Sequence, residues 1–374
     1  MAKPGYKSAR KAGAGGSRRR PKRTADQSPQ HAAPREGLRE GKRQQDAGLP
    51  ARAKPPKTVL PELEPRQGAR LAGSAGIILE TRPDSDYALI DSGNGEKLEQ
   101  YGALTIRRPE GQALWRPSLP AERWEAADAI FTGDTDEEGQ GRWHYPSGHL
   151  PETWPIRFDG LAYHGRFTSF RHTGVFPEQA AHWRSLEQAI NQARQTGRPV
   201  RMLNLFGYTG LASLVAARAG AEVTHVDASK KAVGWAKENQ ALAGLEDKPI
   251  RWIIDDAVKF CAREVRRGSR YDVILLDPPA YGRGPKGEVW QLFEHLPHML
   301  DLVRALQSKN PVMTILTAYA IRASHFALHE LMNYVFAGMA GRIESGELVL
   351  VQQEGGRRLS TSMFSRFTGK EVEL

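Results

Sequence analysis

Polar and glycine-bearing segments recur in the second half of the chain, each at the end of a short apolar run. The first segment is residues 204–210 (NLFGYTG), and the second ends at Asp227. The third ends at Asp255-Asp256, and the fourth is residues 277–281 (DPPAY). Asp227 lies seventeen residues beyond Gly210, a spacing that suits a carboxylate accepting hydrogen bonds from a ribose diol. The pattern indicates a site for a nucleoside.

The glycine-bearing turn narrows the choice of nucleoside. A dinucleotide site needs the pattern G-x-G-x-x-G, but Tyr208 occupies the second glycine position. A phosphate-binding P-loop needs G-K-[ST] after the turn, and this sequence lacks it. A nucleoside without phosphates fits better, so we predict S-adenosylmethionine as the cofactor.

Strands and helices alternate beyond residue 198 and must position these segments. Predicted strands cover residues 200–206, 222–227, 250–255, 271–277, 312–317, 347–353 and 359–367. Predicted helices cover residues 209–219, 229–243, 257–267, 288–307 and 324–337. Continuous apolar strands in such alternation are typical of a parallel sheet covered on both faces. The predicted class is α/β, with a C-terminal hairpin that adds an antiparallel edge strand. Ligands of this architecture bind beyond the carboxyl ends of the strands.

The N-terminal part of the 374-residue chain differs from the rest in charge and pattern. Residues 1–58 hold 16 Lys and Arg against 4 Asp and Glu, a net charge of +12, whereas the remaining residues carry a net charge of −2. We predict a disordered basic tail over 1–58, because it has too few apolar side chains to offset the entropy of ordering. Its cluster at residues 18–23 (RRRPKR) is suited to phosphate binding. A solubilising tail and a transit peptide are the alternatives.

The remaining residues are predicted to form two domains. Residues 69–154 show short alternating runs with turn signals, as in the strands predicted at residues 76–80 and 87–91, and indicate a small β-rich domain. Residues 155–374 form the larger domain. It opens with a hairpin that turns at Asp159-Gly160 and a helix that begins near Pro177 and ends at Gly197.

From about Phe158 to the C-terminus, the sequence resembles the class I S-adenosylmethionine-dependent methyltransferases. It is most similar to the bacterial 23S ribosomal RNA large-subunit methyltransferase I and K group. The resemblance rests on residues 172–179 (HTGVFPEQ), the NLFGYTG turn, residues 226–229 (VDAS), Asn239, residues 255–257 (DDA) and DPPAY. It implies a Rossmann-like sheet and ribosomal RNA as the partner.

The resemblance also implies roles for individual residues. Asp227 would bind the ribose hydroxyls, Ala228 is a further cofactor-binding candidate next to it, and Asp256 and Ala257 would meet the adenine. The methionine end would meet the turn, with the candidate residues Asn204, Phe206, Gly207, Tyr208 and Gly210, while Thr173, Phe176 and Gln179 would close over it. Asp277 would lie beside the methyl group. The candidate catalytic residues are Asp277, Pro278 and Tyr281. Tyr281 could stack on the target base, and the alternative is that it only packs within its loop.

Two departures from the group carry information. The β-rich domain does not look like the RNA-binding PUA domain that is common there, so RNA docking must differ. The segment at residues 314–320 (TILTAYA) also lacks the cysteine that cytosine carbon-5 enzymes of the group carry there. Carbon 5 of a pyrimidine becomes nucleophilic only after a thiolate adds to carbon 6. The sequence therefore favours a nitrogen of an RNA base, with a ribose oxygen as the weaker choice, and it leaves the base and position open.

The single cysteine, Cys261, excludes an internal disulfide, a cysteine-based zinc site and an iron–sulfur cluster, and fits a reducing cytoplasm, where we expect the protein. We expect Cys261 to be a buried packing residue. The histidine pairs His325/His329 and His295/His298 have metal-ligand spacing but no third ligand pattern, so no metal is predicted. No run of about 18 apolar residues is present, so no transmembrane helix is predicted. A methyltransferase for a protein or small molecule, and an inactive RNA-binding assembly factor, remain as alternative functions.

Overall fold

The computed structural model describes residues 65–133, 141–319 and 321–374. The predicted basic tail, residues 1–58, lies outside these described residues. No described helix is both long enough and apolar enough to cross a membrane. The division of the remaining chain into domains 69–154 and 155–374 stays a prediction.

Seventeen strands and seven α-helices make up the described chain. The strands are β1 (Ala72–Thr81), β2 (Tyr87–Gly93), β3 (Glu96–Tyr101), β4 (Leu104–Pro109), β5 (Ala129–Gly133), β6 (Gly141–His144), β7 (Thr153–Phe158), β8 (Leu161–Arg166), β9 (Arg201–Leu205), β10 (Glu222–Asp227), β11 (Ile250–Ile254), β12 (Val273–Leu276), β13 (Tyr281–Arg283), β14 (Val289–Gln291), β15 (Met313–Tyr319), β16 (Gly341–Val351) and β17 (Arg358–Gly369). The helices are α1 (Ala121–Glu125), α2 (Ala180–Gln195), α3 (Leu211–Arg218), α4 (Lys230–Leu242), α5 (Ala257–Arg266), α6 (Leu292–Ala305) and α7 (His325–Phe336), and a 3₁₀ turn, Pro177–Gln179, precedes α2.

Eight strands form one large sheet in the order β1-β16-β17-β15-β12-β9-β10-β11. The five strands β15, β12, β9, β10 and β11 are parallel to one another, which confirms the predicted α/β class. Strand β17 is antiparallel to both of its neighbours. The prediction of an antiparallel edge strand was wrong: the C-terminal hairpin lies inside the sheet, because β1 pairs in parallel with β16 and forms the edge.

Apolar side chains cover both faces of this sheet, as a doubly wound fold requires. Neighbouring residues of a strand point to opposite faces. Leu203 packs in a cluster with side chains of α5, α6 and α7, whereas Met202 packs with side chains of α2 and α3. The packing on both faces therefore holds the strands in place, and the carboxyl ends of the parallel strands lie along one edge of the sheet.

The N-terminal half contributes a second, five-stranded sheet of β2 to β6 and the two-stranded hairpin β7–β8. The predicted turn at Asp159-Gly160 is confirmed, and another turn lies at Asn94-Gly95 between β2 and β3. Asn94 and Asp159 adopt the left-handed conformation that such turns need. The Gln353 N–H donates to the Leu89 carbonyl oxygen at 2.8 Å, which joins β2 to the end of β16. The five-stranded sheet therefore lies against the C-terminal hairpin.

The hairpin of β13 and β14 was not predicted. The helix expected from residue 288 begins at Leu292, and the residues before it form β14, which pairs with β13. Residues 284–288 connect the two strands of this short hairpin.

Candidate active site

The carboxyl ends of β9, β10, β11 and β12 border a cavity of about 430 Å³, which we call the strand-tip cavity. Its lining combines apolar groups with carboxylates from three of the four strand ends. The lining residues used below are Phe176, Phe206, Tyr208, Val226, Asp227, Ala228, Asp255, Asp256, Ala257, Asp277, Pro278, Trp290 and Tyr319. A cavity of this size and mixed character is typical of a small-ligand site.

Asp227 ends β10 and is held by backbone donors. One carboxylate oxygen accepts the Tyr208 N–H at 2.9 Å, and the other accepts the Ser229 N–H at 2.7 Å. Burial raises the pKa of Asp227, and these two hydrogen bonds oppose the rise. Because each carboxylate oxygen can accept a second hydrogen bond, the group can also receive the hydroxyls of a ribose.

The turn after β9 approaches buried side chains closely. A side-chain carbon on Gly207 would lie 2.4 Å from the His225 ring, so only glycine fits there. The Asn204 side chain donates to the Ser213 hydroxyl at 2.9 Å, and this hydroxyl lies 3.0 Å from His225 Nδ1. Burial lowers the pKa of His225 to about 3 and keeps the ring neutral. These buried contacts hold the turn in place on its side that faces the protein interior.

The turn itself holds two non-glycine residues in the left-handed region, Phe206 at φ 57° and Tyr208 at φ 49°. Such conformations are costly and persist only where the surroundings impose them. Here the Gly207 N–H donates to the Val226 carbonyl at 3.1 Å, and Asp227 binds the Tyr208 N–H. The strained turn is therefore fixed by the end of the neighbouring strand.

Asp277 follows β12 and lies opposite the 3₁₀ turn that precedes α2. The Gln179 side-chain amide donates to Asp277 Oδ2 at 3.2 Å and to the Tyr319 hydroxyl at 2.9 Å. The Tyr319 ring lies 5.0 Å from the Phe176 ring. This arrangement fixes a carboxylate at the cavity wall, where it can accept a hydrogen bond from a ligand.

The β13–β14 hairpin is anchored beside the cavity. The Trp290 indole N–H donates to the Pro279 carbonyl at 2.7 Å, and its ring lies 5.0 Å from that of Phe206. Glu288 pairs with Lys259 of α5 at 2.5 Å. The hairpin thus forms one wall of the cavity.

The structure brings most of the predicted site residues together. Nine of them line the strand-tip cavity: Phe176, Phe206, Tyr208, Asp227, Ala228, Asp256, Ala257, Asp277 and Pro278. Gln179, Asn204 and Gly207 line an adjoining cavity of about 50 Å³, which also touches Phe176 and Asp277.

Three predicted site residues line neither cavity. Thr173 is buried, and its carbonyl accepts the Arg166 N–H at 3.1 Å. Gly210 caps α3 in the left-handed conformation, at φ 84°. Tyr281 is 39% exposed, whereas its neighbours Ala280 and Gly282 line the strand-tip cavity.

Two of the lining residues that were not predicted, Tyr319 and Trp290, show what sequence reasoning can and cannot find. Tyr319 ends β15. Asp277 was selected because ligands of this architecture bind beyond the carboxyl ends of the strands, and the same reasoning would have selected Tyr319. Trp290 could not be found that way, because its place depends on the β13–β14 hairpin. Asp256 adds a structural role, since its carboxylate caps α5 by accepting the Lys259 N–H at 2.9 Å.

Cys261, a residue of α5, is fully buried in an apolar cluster with side chains of α6 and α7, as expected. Burial raises the pKa of its thiol. A thiolate, not a thiol, is the nucleophile of covalent catalysis, so this side chain is poorly suited to attack a base.

Fold and site together define a doubly wound α/β protein with a nucleoside-type cavity at its strand tips. The family described as conserved hypothetical protein 95 matches residues 184–299. The S-adenosylmethionine-dependent methyltransferase of Agrobacterium tumefaciens, a crystal structure, is 58% identical with a TM-score of 0.79; the match covers 82% of this chain and 98% of that one. The chain therefore belongs to the S-adenosylmethionine-dependent methyltransferases.

Two curated relatives match over shorter stretches. Ribosomal RNA large subunit methyltransferase K of Neisseria meningitidis is 27% identical over 54% of this chain. Ribosomal RNA large subunit methyltransferase K/L of Shewanella baltica is 36% identical over 34% of this chain. The chain spans 57% of the first protein and 17% of the second.

Proposed function

We propose that the chain transfers a methyl group from S-adenosylmethionine to a nitrogen atom of a ribosomal RNA base. The observation that carries the proposal is the placement of Asp277-Pro278 and Asp227 on the wall of one cavity, at the ends of the two strands that flank β9. The names of the curated relatives support ribosomal RNA as the substrate. We further propose that the protein works in the cytoplasm.

The donor groups of the site fit the proposed cofactor. Asp227 would accept the ribose hydroxyls, and the apolar side chains of Val226, Ala228 and Ala257 would contact the adenine. Asn204 and Gln179, in the adjoining cavity, would meet the amino-acid end. When bound, S-adenosylmethionine supplies an electrophilic methyl group.

The residues around Asp277 suit a nitrogen acceptor. An exocyclic amine becomes nucleophilic when its N–H groups donate to acceptors that free the nitrogen lone pair. The Asp277 carboxylate and the Pro278 carbonyl are such acceptors, and Gln179 holds the carboxylate in position. A ring nitrogen has its own lone pair and needs only to be positioned. Carbon 5 of a pyrimidine would require a thiolate, and the only cysteine of the chain is buried elsewhere.

The proposal is tested by methyl transfer from labelled S-adenosylmethionine to total RNA of a strain that lacks the protein, followed by mass spectrometry of the nucleosides. We expect label in ribosomal RNA, on a nitrogen of one base. Label in protein would instead support a protein methyltransferase, and RNA binding without transfer would support an assembly factor.

The cofactor site is tested separately by isothermal titration. We expect Asp227→Ala to lower the affinity for S-adenosylmethionine at least tenfold, because each ribose hydroxyl loses a charged acceptor. Asp247→Ala, which removes an exposed carboxylate paired only with the neighbouring Lys248, is the matched control. Unchanged affinity in Asp227→Ala would contradict the assignment of the site.

A further inference from the structure

A second cavity, of about 350 Å³, lies against the strand-tip cavity, and we call it the interdomain cavity because its lining residues come from both predicted domains. Its walls come from the five-stranded sheet and the loop after β4, from the segment before α2, and from the C-terminal strands. Its lining residues are Lys97, Arg108, Glu110, Gly111, Gln112, Arg171, His172, Val175, Phe176, Pro177, Glu178, Tyr319 and Thr361. His172, Phe176 and Tyr319 line both cavities, so the two share a wall.

The buried cations of the interdomain cavity are already neutralised. Arg108 binds Glu99 through Nε at 2.6 Å and a terminal nitrogen at 3.0 Å, and its other terminal nitrogen donates to the Arg171 carbonyl at 2.9 Å. Lys97 pairs with Glu110 at 3.1 Å. These ion pairs build the wall of the cavity, and they leave Arg108 and Lys97 little capacity for a ligand.

Glu178 differs from these residues. It is 4% exposed, and within the described part of the chain its carboxyl is supported by its own backbone N–H rather than by a partner side chain. Burial raises the pKa of this carboxyl, and the charges of Lys97 and Arg108 only partly oppose the rise. A buried polar group with so little support is costly, and a ligand that supplies the missing partner is one explanation for its presence at a cavity wall.

The position of Glu178 relates the two cavities. Glu178 and Gln179 are consecutive residues of one 3₁₀ turn. Gln179 lines the small cavity beside the strand tips and holds Asp277, whereas Glu178 lines the interdomain cavity. Because the two cavities share Phe176 and Tyr319 as lining residues, a base that enters the interdomain cavity lies next to the Asp277 side of the cofactor site.

We propose that the interdomain cavity receives the target nucleotide, that a ring nitrogen of its base is the methyl acceptor, and that the Glu178 carboxyl accepts a hydrogen bond from the single exocyclic amine of the same base. The assignment rests on the proposed RNA methyltransferase function. Enzymes that modify a base must take it out of its stack into a pocket and read its edge by hydrogen bonds. A carboxyl acceptor matches the amine of guanine, adenine or cytosine and has no matching amine in uracil.

The experiment compares the wild type with Glu178→Ala and the nearly isosteric Glu178→Gln. The substrate is a ribosomal RNA fragment that carries the mapped methylation site. We expect Glu178→Ala to lower kcat/KM for the fragment between tenfold and a hundredfold, mainly through KM, since one hydrogen bond to a charged group is removed. Glu178→Gln keeps an acceptor oxygen and should fall between. Glu246→Ala, which removes an exposed carboxylate between α4 and β11, is the control.

Two further measurements separate recognition from a structural role. Affinity for S-adenosylmethionine should stay unchanged in both variants, and the Tm of the nearly isosteric Glu178→Gln should not fall, because no side chain of the described residues is a hydrogen-bond partner of the Glu178 carboxyl. A fragment with uridine at the target position should bind the wild type at least tenfold more weakly, and this discrimination should vanish in Glu178→Ala.

The outcomes distinguish the two proposals. Absence of methyl transfer by the wild type would overturn the proposed function. Transfer by the wild type that is unaltered in Glu178→Ala and Glu178→Gln would overturn the role of Glu178 alone. A lower Tm in both variants with unchanged discrimination against uridine would assign Glu178 to the fold instead.

Discussion

Two carboxylates on the five-stranded sheet show how burial decides the contribution of an ion pair to stability. Glu99 is fully buried and accepts hydrogen bonds from Arg108, from the Tyr87 hydroxyl at 3.0 Å and from the Tyr101 hydroxyl at 3.2 Å. Glu96 forms a similar pair with Arg107, but both side chains are partly exposed. A buried charge that loses its partner is costly, whereas a solvated pair contributes little.

We therefore expect Glu99→Gln to lower the free energy of unfolding by about 3–5 kcal/mol, because it leaves Arg108 buried without its counter-charge. Glu96→Gln, the matched control, should cost less than about 1 kcal/mol. Urea unfolding at pH 7 measures both. Equal effects in the two variants would contradict the account.

The same residue gives a pH dependence. Burial opposes ionisation of Glu99, but the charges of Arg108 and Lys97 and the hydrogen bonds outweigh it and lower the pKa from 4.5 to about 2. Because the pKa is lower in the folded state, Glu99 stabilises the fold fully above about pH 4.5 and loses this effect as the pH falls toward 2. The stability difference between wild type and Glu99→Gln should therefore shrink over that range.

At the scale of elements, the turn from β9 into α3 connects the sheet to the cofactor site. Gly210 begins α3 at φ 84°, and a side-chain carbon there would lie 2.8 Å from Ala236 Cβ and 3.1 Å from the Trp252 ring. Conformation and packing both require glycine. The α3 N-terminus and α4 can therefore approach closely enough to keep the turn beside Asp227.

We expect Gly210→Ala to destabilise the protein by about 2–4 kcal/mol, the sum of backbone strain and overpacking. It should also weaken S-adenosylmethionine binding, since the turn must shift. Gly197 has a similar φ of 78° but nothing within 4 Å, so Gly197→Ala should cost only about 1 kcal/mol and leave binding unchanged. Thermal unfolding and isothermal titration of both variants test this, and equal behaviour would argue against a packing requirement.

At the scale of the whole molecule, charge is divided unevenly along the chain. Residues 1–58 carry a net charge of +12, and the rest carries −2. A cationic segment gains affinity for RNA by displacing counterions from phosphates, and this gain diminishes as salt is added. RNA affinity and the chemistry of the site should therefore be separable.

We expect deletion of residues 1–58 to weaken RNA binding and to flatten the slope of log K against log salt concentration. The slope should change by roughly 0.7 for each phosphate of single-stranded RNA that the truncated protein no longer neutralises. Replacing the six residues 18–23 with neutral residues keeps the length and should reproduce part of the effect. Filter binding across a salt series measures both, and kcat at saturating RNA should not change. An unaltered slope would show that the tail binds no phosphates.

The sequence by itself determined the strand and helix pattern and most of the strand-tip residues. Hydrophobic periodicity, turn residues and the position of a residue at the end of a strand are local properties of a sequence. The order of residues alone therefore sufficed to place Asp227, Asp256 and Asp277 on one edge of a sheet. The lone cysteine likewise limited the chemistry, because composition does not depend on the fold.

Only the tertiary structure decided the contacts between distant segments. The pairing of β1 with β16 joins opposite ends of the described chain, and the bond from Gln179 to Asp277 crosses 98 residues. The interdomain cavity and the position of Glu178 also depend on how the five-stranded sheet lies against the C-terminal hairpin. Such contacts depend on which surfaces pack together, and no local pattern of residues encodes that choice.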